Sequence, residues 1–278
     1  MDRNFASRRG TPSVAAQRQM SGDSLQCFVD APMGGLPMPT ASEFRKNSLL
    51  HAMPGEVLDR WRPHMEFIEL PLGAVVYEAG VAQRHAYFPT SAIVSILYVM
   101  ENGASTEIAV AGNEGVVGVS LVTGGGSTPS RAVVHSAGHA IRLGAEHISE
   151  AFDRGGPVLH ALLRYTQALM TQMLQTAACN RHHTVDQQLC RWLLLSLDRL
   201  RGQDLQMTHL LIAKMLGVRR EGVTEAATKL QRAGCIQYTR GQITVLDRPR
   251  IEARSCECYD VVKREYDRLC PRPGCLQG

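Results

Sequence analysis

The sequence predicts an α+β chain: an antiparallel sandwich or barrel, then one long amphipathic helix, then a small helical unit closed by a hairpin. Three observations predict it. Between residues 65 and 143, short apolar runs alternate with turn signals, about every 8–12 residues, as in all-β units. From Pro157 to about Asn180 the apolar spacing changes to threes and fours, the period of a helix. From Leu205 to Asp247, two short helical patterns meet at a glycine and lead into a hairpin pattern, the layout of a helix-turn-helix.

The elements follow in order. Residues 1–42 mix Ser, Gly, Pro, Arg and Met without periodicity and read as a mobile tail. Leu49, Leu50, Val57, Leu58 and Trp61 predict short helices, with Pro54 opening the second. "FIEL", "AVVYE", "AIVSILYVM", "TEIAV" and "RAVVHSAGHAIRL" read as strands, and Asn102-Gly103 is a strong hairpin dipeptide. The long helix carries Val158, Leu159, Leu162, Leu163, Thr166, Leu169, Met170, Met173, Leu174, Ala177 and Ala178 as one stripe. At about 1.5 Å per residue it spans over 30 Å. Such a stripe either packs on its own sandwich or pairs with a second copy; pairing is the expectation. "VDQQLCRWLLLSLDRL", residues 185–200, predicts a further helix.

Composition sets the class. With 278 residues, 44% apolar and 20% charged, the chain has the make-up of a globular protein of about two domains. No apolar run approaches the ~18 residues of a membrane span, and the N-terminus does not read as a secretory signal. A cytoplasmic protein with no membrane partner is expected. Eight cysteines are too sparse for a disulfide scaffold and read as reduced thiols. Residues 45–150 carry 7 basic and 10 acidic side chains, whereas 201–250 carry 9 and 4. Positive charge gathered at one end suits nucleic acid, although a solvated basic face has the same composition.

The 205–247 segment gives the most specific motif. Thr208 is a good N-cap. Ile212, Met215 and Leu216 form one apolar face, and Gly217 stops the first helix in a left-handed cap. The second helix begins near Arg219 or Arg220, buries Val223, Ala226, Ala227 and Leu230, and ends at Gly234. Its other side carries Arg219, Arg220, Glu221, Thr224, Glu225, Thr228 and Lys229. Arginine there can read guanine bidentately, and glutamate can accept from a cytosine amino group. "CIQYTRGQITVLD" turns at Arg240-Gly241 as a small wing for the phosphate backbone.

This order of parts resembles the CRP/FNR family of bacterial transcription regulators over about residues 45–250, with "GVRREGVTEAATKLQRAGCI" as its most specific stretch. The resemblance implies a cyclic-nucleotide-binding-like β-roll, a long dimerisation helix and a C-terminal winged helix-turn-helix. It divides the chain into a tail at 1–42, a sensor β-roll at 43–156, the dimerisation helix at 157–184, the DNA-binding domain at 185–250 and a cysteine-containing extension at 251–278. Arg220 and Glu221 match base-reading positions, joined by Thr224 and Glu225 as base-reading candidates. Glu225 departs from a common pattern that has arginine there. Thr208, His209, Arg219, Lys229 and Arg240 are candidates for backbone contacts.

The resemblance also places a phosphate cassette on "EGVVGVSLVTGGGSTPSRAVV". Gly118 aligns with the cassette glycine and Arg131 with its arginine, while Val119 stands where a ribose-binding glutamate belongs. Gly118, Val119, Ser130 and Arg131 are therefore the effector-pocket candidates, with Arg131 also readable as a surface residue. An unpaired ribose hydroxyl costs roughly 1–3 kcal/mol, so neither cyclic AMP nor cyclic GMP is expected, and Glu114 has the wrong spacing to replace the missing acid. Cys27 alone cannot hold an iron–sulfur cluster. Cys256, Cys258, Cys270 and Cys275 do not have a usual zinc spacing, so no metal site is expected. Haem on His85 or His135 is unsupported. The expected partners are double-stranded promoter DNA, RNA polymerase and a second copy of the chain. No nucleophile–base pair or nucleotide-hydrolysis loop points to an enzyme. The competing reading is a β-roll adaptor that does not bind DNA specifically.

Overall fold

The computed structural model describes residues 38–200 and 204–270. Most of the expected tail lies outside them, but its last residues do not: Ala41 and Ser42 open a helix. That helix, α1 (Ala41–Phe44), starts from a capping box in which Thr40 and Glu43 satisfy each other's backbone. In α2 (Ser48–His51) the Asn47 side chain accepts from the Leu50 amide. Pro54 caps α3 (Gly55–Trp61), one position before the helix proper. These short helices bury Phe44, Leu49, Leu50 and Trp61 against the sheets that follow.

Seven strands form two antiparallel sheets. One has the order β1 (Met65–Leu70), β7 (Gly138–Gly144), β3 (His85–Pro89). The other runs β2 (Val75–Tyr77), β6 (Arg131–Ser136), β4 (Ile93–Val99), β5 (Ser105–Ala111). The β4–β5 hairpin turns at Asn102-Gly103, with Gly103 at φ 82°. "RAVVHSAGHAIRL" is not one strand: β6 and β7 belong to different sheets. The chain changes sheet at Gly138, where an added Cβ would lie 2.5 Å from the Ala92 amide nitrogen. Only glycine allows that crossing.

After α4 (Ala145–Asp153), α5 (Pro157–His182) runs for 26 residues, with proline in its first turn. The sequence stripe splits into two faces. Val158, Ala161, Leu162, Tyr165, Ala168, Leu169, Gln172, Thr176 and Cys179 face inward. Leu163, Met170 and Leu174 are about half or more exposed. Together with Thr166, Met173 and Ala177, the outward residues repeat at threes and fours, as along a coiled-coil seam. Apolar residues occupy both faces, and sequence periodicity alone merged them.

A capping box of Thr184 and Gln187 starts α6 (Val185–Leu197), which is buried over most of its length. Beyond it lie α7 (His209–Leu216) and α8 (Arg220–Arg232). A three-stranded sheet of order β8 (Asp204–Gln206), β10 (Gln242–Val245), β9 (Ile236–Thr239) packs beside them. Sequence patterning had supplied the β9–β10 hairpin but not β8. The extension is structured too: α9 (Arg248–Arg254) leads into α10 (Glu257–Leu269), which lies along α5 and buries Cys258, Tyr259, Val262 and Tyr266.

One buried polar junction joins these parts. Arg199 donates from Nε to Glu114 Oε1 at 2.7 Å, from Nη1 to the Leu195 carbonyl at 2.7 Å and from Nη2 to Gln172 Oε1 at 3.1 Å. Gln172 also accepts from the Tyr266 hydroxyl at 3.1 Å and donates to the Val110 carbonyl at 3.2 Å. The loop after β5, α5, the end of α6 and α10 thus meet on one ion pair. Burial disfavours the Arg199 charge, but Glu114 more than offsets this and its pKa is raised.

Candidate nucleic-acid interface and sensor pocket

The helix-turn-helix forms at the predicted residues. Thr208 Oγ1 accepts from the Leu211 amide at 3.3 Å, and Gly217 takes φ 66° to end α7. In α8, Val223, Ala226, Ala227 and Leu230 are buried. This rotation leaves Arg219, Arg220, Glu221, Thr224, Glu225, Thr228 and Lys229 exposed on the other side. Arg240 sits at the wing tip with φ 50°, next to Gly241 at φ 82°, the two left-handed positions of a tight hairpin turn.

Neighbours fix several of these side chains. His209 stacks on Tyr238 with ring centroids 4.1 Å apart, and its Nδ1 lies 3.0 Å from Thr224 Oγ1. That contact ties the start of α7 to the exposed face of α8. Burial, helped by the nearby Arg220 charge, holds the His209 pKa below its ordinary value. Lys229 Nζ lies 3.0 Å from Glu225 Oε1 and 3.1 Å from Asp186 Oδ2, so it pins α8 to the start of α6. Arg219, Arg220, Glu221 and Thr224 are left at the leading end of α8, the end that enters a groove in helix-turn-helix docking.

The N-terminal half contains a cavity of about 200 Å³ between the roll and α5, far larger than one water needs. Gly118, Val119 and Ser130 line it, with Tyr77, Thr128 and the α5 residues Thr166, Met170 and Met173. Gly118 takes φ 115° and leads into a 3-10 turn at Val119–Leu121. The polar lining is made of hydroxyls: Tyr77 and Thr128 oxygens lie 3.3 Å and 3.0 Å from Ser130 Oγ.

Arg131 is not part of this lining, which corrects its candidacy for the pocket. The Arg131 side chain is largely buried, and its Nη2 pairs with Glu78 Oε1 at 3.1 Å. Glu114 is also elsewhere, bound to Arg199. The cassette residues therefore form a cavity with no cationic side chain in its lining.

His135 does not offer a free nitrogen for haem. It is buried, with Nδ1 2.8 Å from Ser95 Oγ and Nε2 3.4 Å from Ser196 Oγ, and it stacks on Trp192. Ser95 donates in turn to Glu107. This relay fastens β4, β5 and β6 to α6.

The cysteines group differently from their sequence spacing. Cys27 and Cys275 lie outside the described residues. Cys270 sits apart, beside a cleft at Ser48 and Arg164. Cys256 and Cys258 instead meet Cys179 and His183, with their four donor atoms within 4.8 Å of one another. The expectation of no metal site considered spacings within 256–275 alone. The fold supplies two of the donors from the end of α5, so that argument does not hold.

Residues 187–254 match the Crp-like helix-turn-helix domain family. The matched stretch takes in most of α6, then α7, α8 and the wing, and ends with α9. Similar folds occur in a protein assigned to the CRP/FNR regulators from Eubacterium rectale, with 15% identity, TM-score 0.60 and coverage of 75% of this chain and 97% of that one. FixK2 from Bradyrhizobium japonicum matches at 15% identity and TM-score 0.56, over 69% of this chain and 98% of its own. The c-di-GMP responsive regulator CLP of Xanthomonas campestris matches at 16% and 0.56, over 69% and 99%. No curated protein matches the chain by sequence. The fold is that of the CRP/FNR transcription regulators, with the matched stretch joined to the roll by α5. Among the described residues, no helix is long and apolar enough to cross a membrane.

Proposed function

We propose that this chain is a homodimeric, sequence-specific DNA-binding transcription regulator whose sensor cavity takes a small ligand other than a cyclic nucleotide. The observation that carries the DNA-binding reading is the leading end of α8, where Arg219, Arg220, Glu221 and Thr224 stand exposed on a helix anchored by its Val223 and Leu230 face. Arg220, Glu221, Thr224 and Glu225 read bases, while Thr208, His209, Arg219, Lys229 and the wing-tip Arg240 contact phosphates. The division into tail, sensor roll, dimerisation helix, DNA-binding domain and extension follows the expected boundaries, with α1 added to the sensor part. Location in the cytoplasm and contact with RNA polymerase belong to the same reading.

The second copy pairs through the outward seam of α5. Two recognition helices then sit about one DNA turn apart, near 34 Å. The cavity opens beside that seam, so a ligand there biases how the two long helices meet. The hydroxyl lining favours a neutral or weakly polar ligand. A cyclic phosphate would enter without a cation to meet it and with Val119 opposite its ribose, and uncompensated polar groups of this kind are costly to bury.

The test is selection of duplexes from a random library by the full chain. Enrichment of a two-fold symmetric site is expected, with half-sites about one turn apart. Arg220→Ala should weaken binding to that site by about 1–3 kcal/mol, roughly 5- to 150-fold. An unenriched pool, with wild type and Arg220→Ala binding all duplexes alike, would favour the adaptor reading and refute this one.

A further inference from the structure

We propose that Cys179, His183, Cys256 and Cys258 form a tetrahedral site for a thiophilic divalent cation, zinc in chemical class, which clamps the α5–α6 joint to the start of α10. Three sulfurs and one imidazole are a standard donor set for structural zinc, and soft thiolates select for it.

The spacing fits before any ion is added. Zinc bonds of about 2.3 Å to sulfur and 2.0 Å to nitrogen make the edges of a tetrahedron about 3.8 Å between sulfurs and about 3.5 Å between sulfur and nitrogen. Cys179 Sγ and Cys256 Sγ are 3.6 Å apart, and Cys258 Sγ lies 3.5 Å from His183 Nδ1. All four donor atoms fall within 4.8 Å, so closing on an ion requires only small movements.

Local structure presents each donor. Cys179 lies in the last turn of α5, and His183 is its C-cap, with its amide donating to the Cys179 carbonyl at 3.0 Å. Cys256 is the N-cap of α10 and Cys258 lies in its first turn. The three cysteines are buried and form a cluster of their own, separate from the apolar cores.

The surroundings complete a metal-site pattern. Glu257 Oε2 lies 3.3 Å from His183 Nε2. A carboxylate on the far nitrogen fixes the ring and turns Nδ1 toward the sulfurs, as ligating histidines usually require. Three thiolates and a divalent cation leave one negative charge. The buried Arg191, which donates to Thr176 Oγ1 at 3.1 Å, supplies an opposing positive charge, whereas in the metal-free protein the Cys256 contact and burial push the Cys179 thiol up and burial pushes Cys258 up to about 11. A Cys179–Cys256 disulfide would need the sulfurs to close to about 2.05 Å, and it would give His183, Glu257 and Cys258 no role.

The experiment uses the full chain, purified under reducing conditions without chelators. Metal analysis should find close to one zinc per chain. After chelation, titration with cobalt(II) alone should produce the ligand-field bands of a tetrahedral centre and a thiolate charge-transfer band, saturating at one equivalent and displaced by zinc. Cys258→Ser and His183→Gln should lose or shift these bands, whereas Cys270→Ser should keep them. Glu257→Gln should keep the one-to-one stoichiometry but bind about 10- to 100-fold more weakly. Folded wild-type protein that gives no cobalt bands would overturn the proposal, whatever the variants do. So would bands unchanged in Cys258→Ser, or thiol trapping that finds a Cys179–Cys256 disulfide in metal-free protein from freshly lysed cells.

Discussion

Replacing Glu114 by alanine should cost about 3–5 kcal/mol of unfolding free energy, the usual penalty for leaving one half of a buried ion pair. The structure supports a value toward the upper end. The Glu114 and Arg199 side chains are only 9% and 5% exposed, so water cannot take over the freed charge. Arg199 keeps two neutral acceptors, the Leu195 carbonyl and Gln172, but loses its only counter-charge at hydrogen-bond distance. The Gly112 amide also loses an acceptor at 3.3 Å, worth about 1 kcal/mol. Domains are stable by only about 5–15 kcal/mol, so the urea midpoint should move far to the left, read by far-ultraviolet circular dichroism. A double variant, Glu114→Leu with Arg199→Met, should recover much of the loss, because an apolar pair of similar size is often neutral or better than a buried ion pair. A single variant within about 0.5 kcal/mol of wild type, the range of an ordinary surface substitution, would refute the reasoning. A double variant no more stable than the single would do the same.

Further outcomes follow from other features. In the proposed dimer each copy would bury its Met170, so Met170→Asp, at roughly 1.5–3 kcal/mol for each side chain, should raise the dissociation constant at least a hundredfold in sedimentation equilibrium; unchanged association would remove the seam from the interface. Gly115→Ala should destabilise the roll by at least about 1–3 kcal/mol, because the new Cβ would fall 1.9 Å from the Tyr165 ring; a melting temperature equal to wild type would contradict that contact. His209 is held below its ordinary pKa, so the unfolded chain takes up its proton first, and stability should fall as pH drops through about 6.5. His209→Gln should flatten that slope, and an identical slope would assign the loss to another group.

Much of this architecture was legible in the sequence, for reasons that can be named. The helix-turn-helix was clear because Gly217 and Gly234 mark its ends and the Val223–Leu230 spacing fixes its rotation. The roll was legible as strands and turns, but the change of sheet at Gly138 was not, since a tight backbone crossing leaves no periodic signal. Arg131 was placed in the pocket because alignment with a motif cannot show its tertiary pairing with Glu78. The α5 stripe hid two faces because apolar residues cover most of its circumference. Cys179 and His183 are over 70 residues from Cys256 and Cys258, so no local spacing could announce their meeting. In α10, Cys258, Tyr259, Val262 and Tyr266 fall at helical offsets, but the charged residues between them keep the segment's mean hydrophobic signal low.

Thr166, Met170 and Met173 serve two surfaces at once: they line the cavity and they stand on the outward seam of α5. In the proposed dimer, a molecule in the cavity and a second copy on the seam would draw on the same three side chains. Thermodynamic linkage makes such an influence reciprocal: whatever factor the ligand applies to association, association applies to the ligand. The apparent affinity of any effector should accordingly vary with protein concentration. Dilution below the dimer dissociation constant would alter it even if the pocket itself never changed composition.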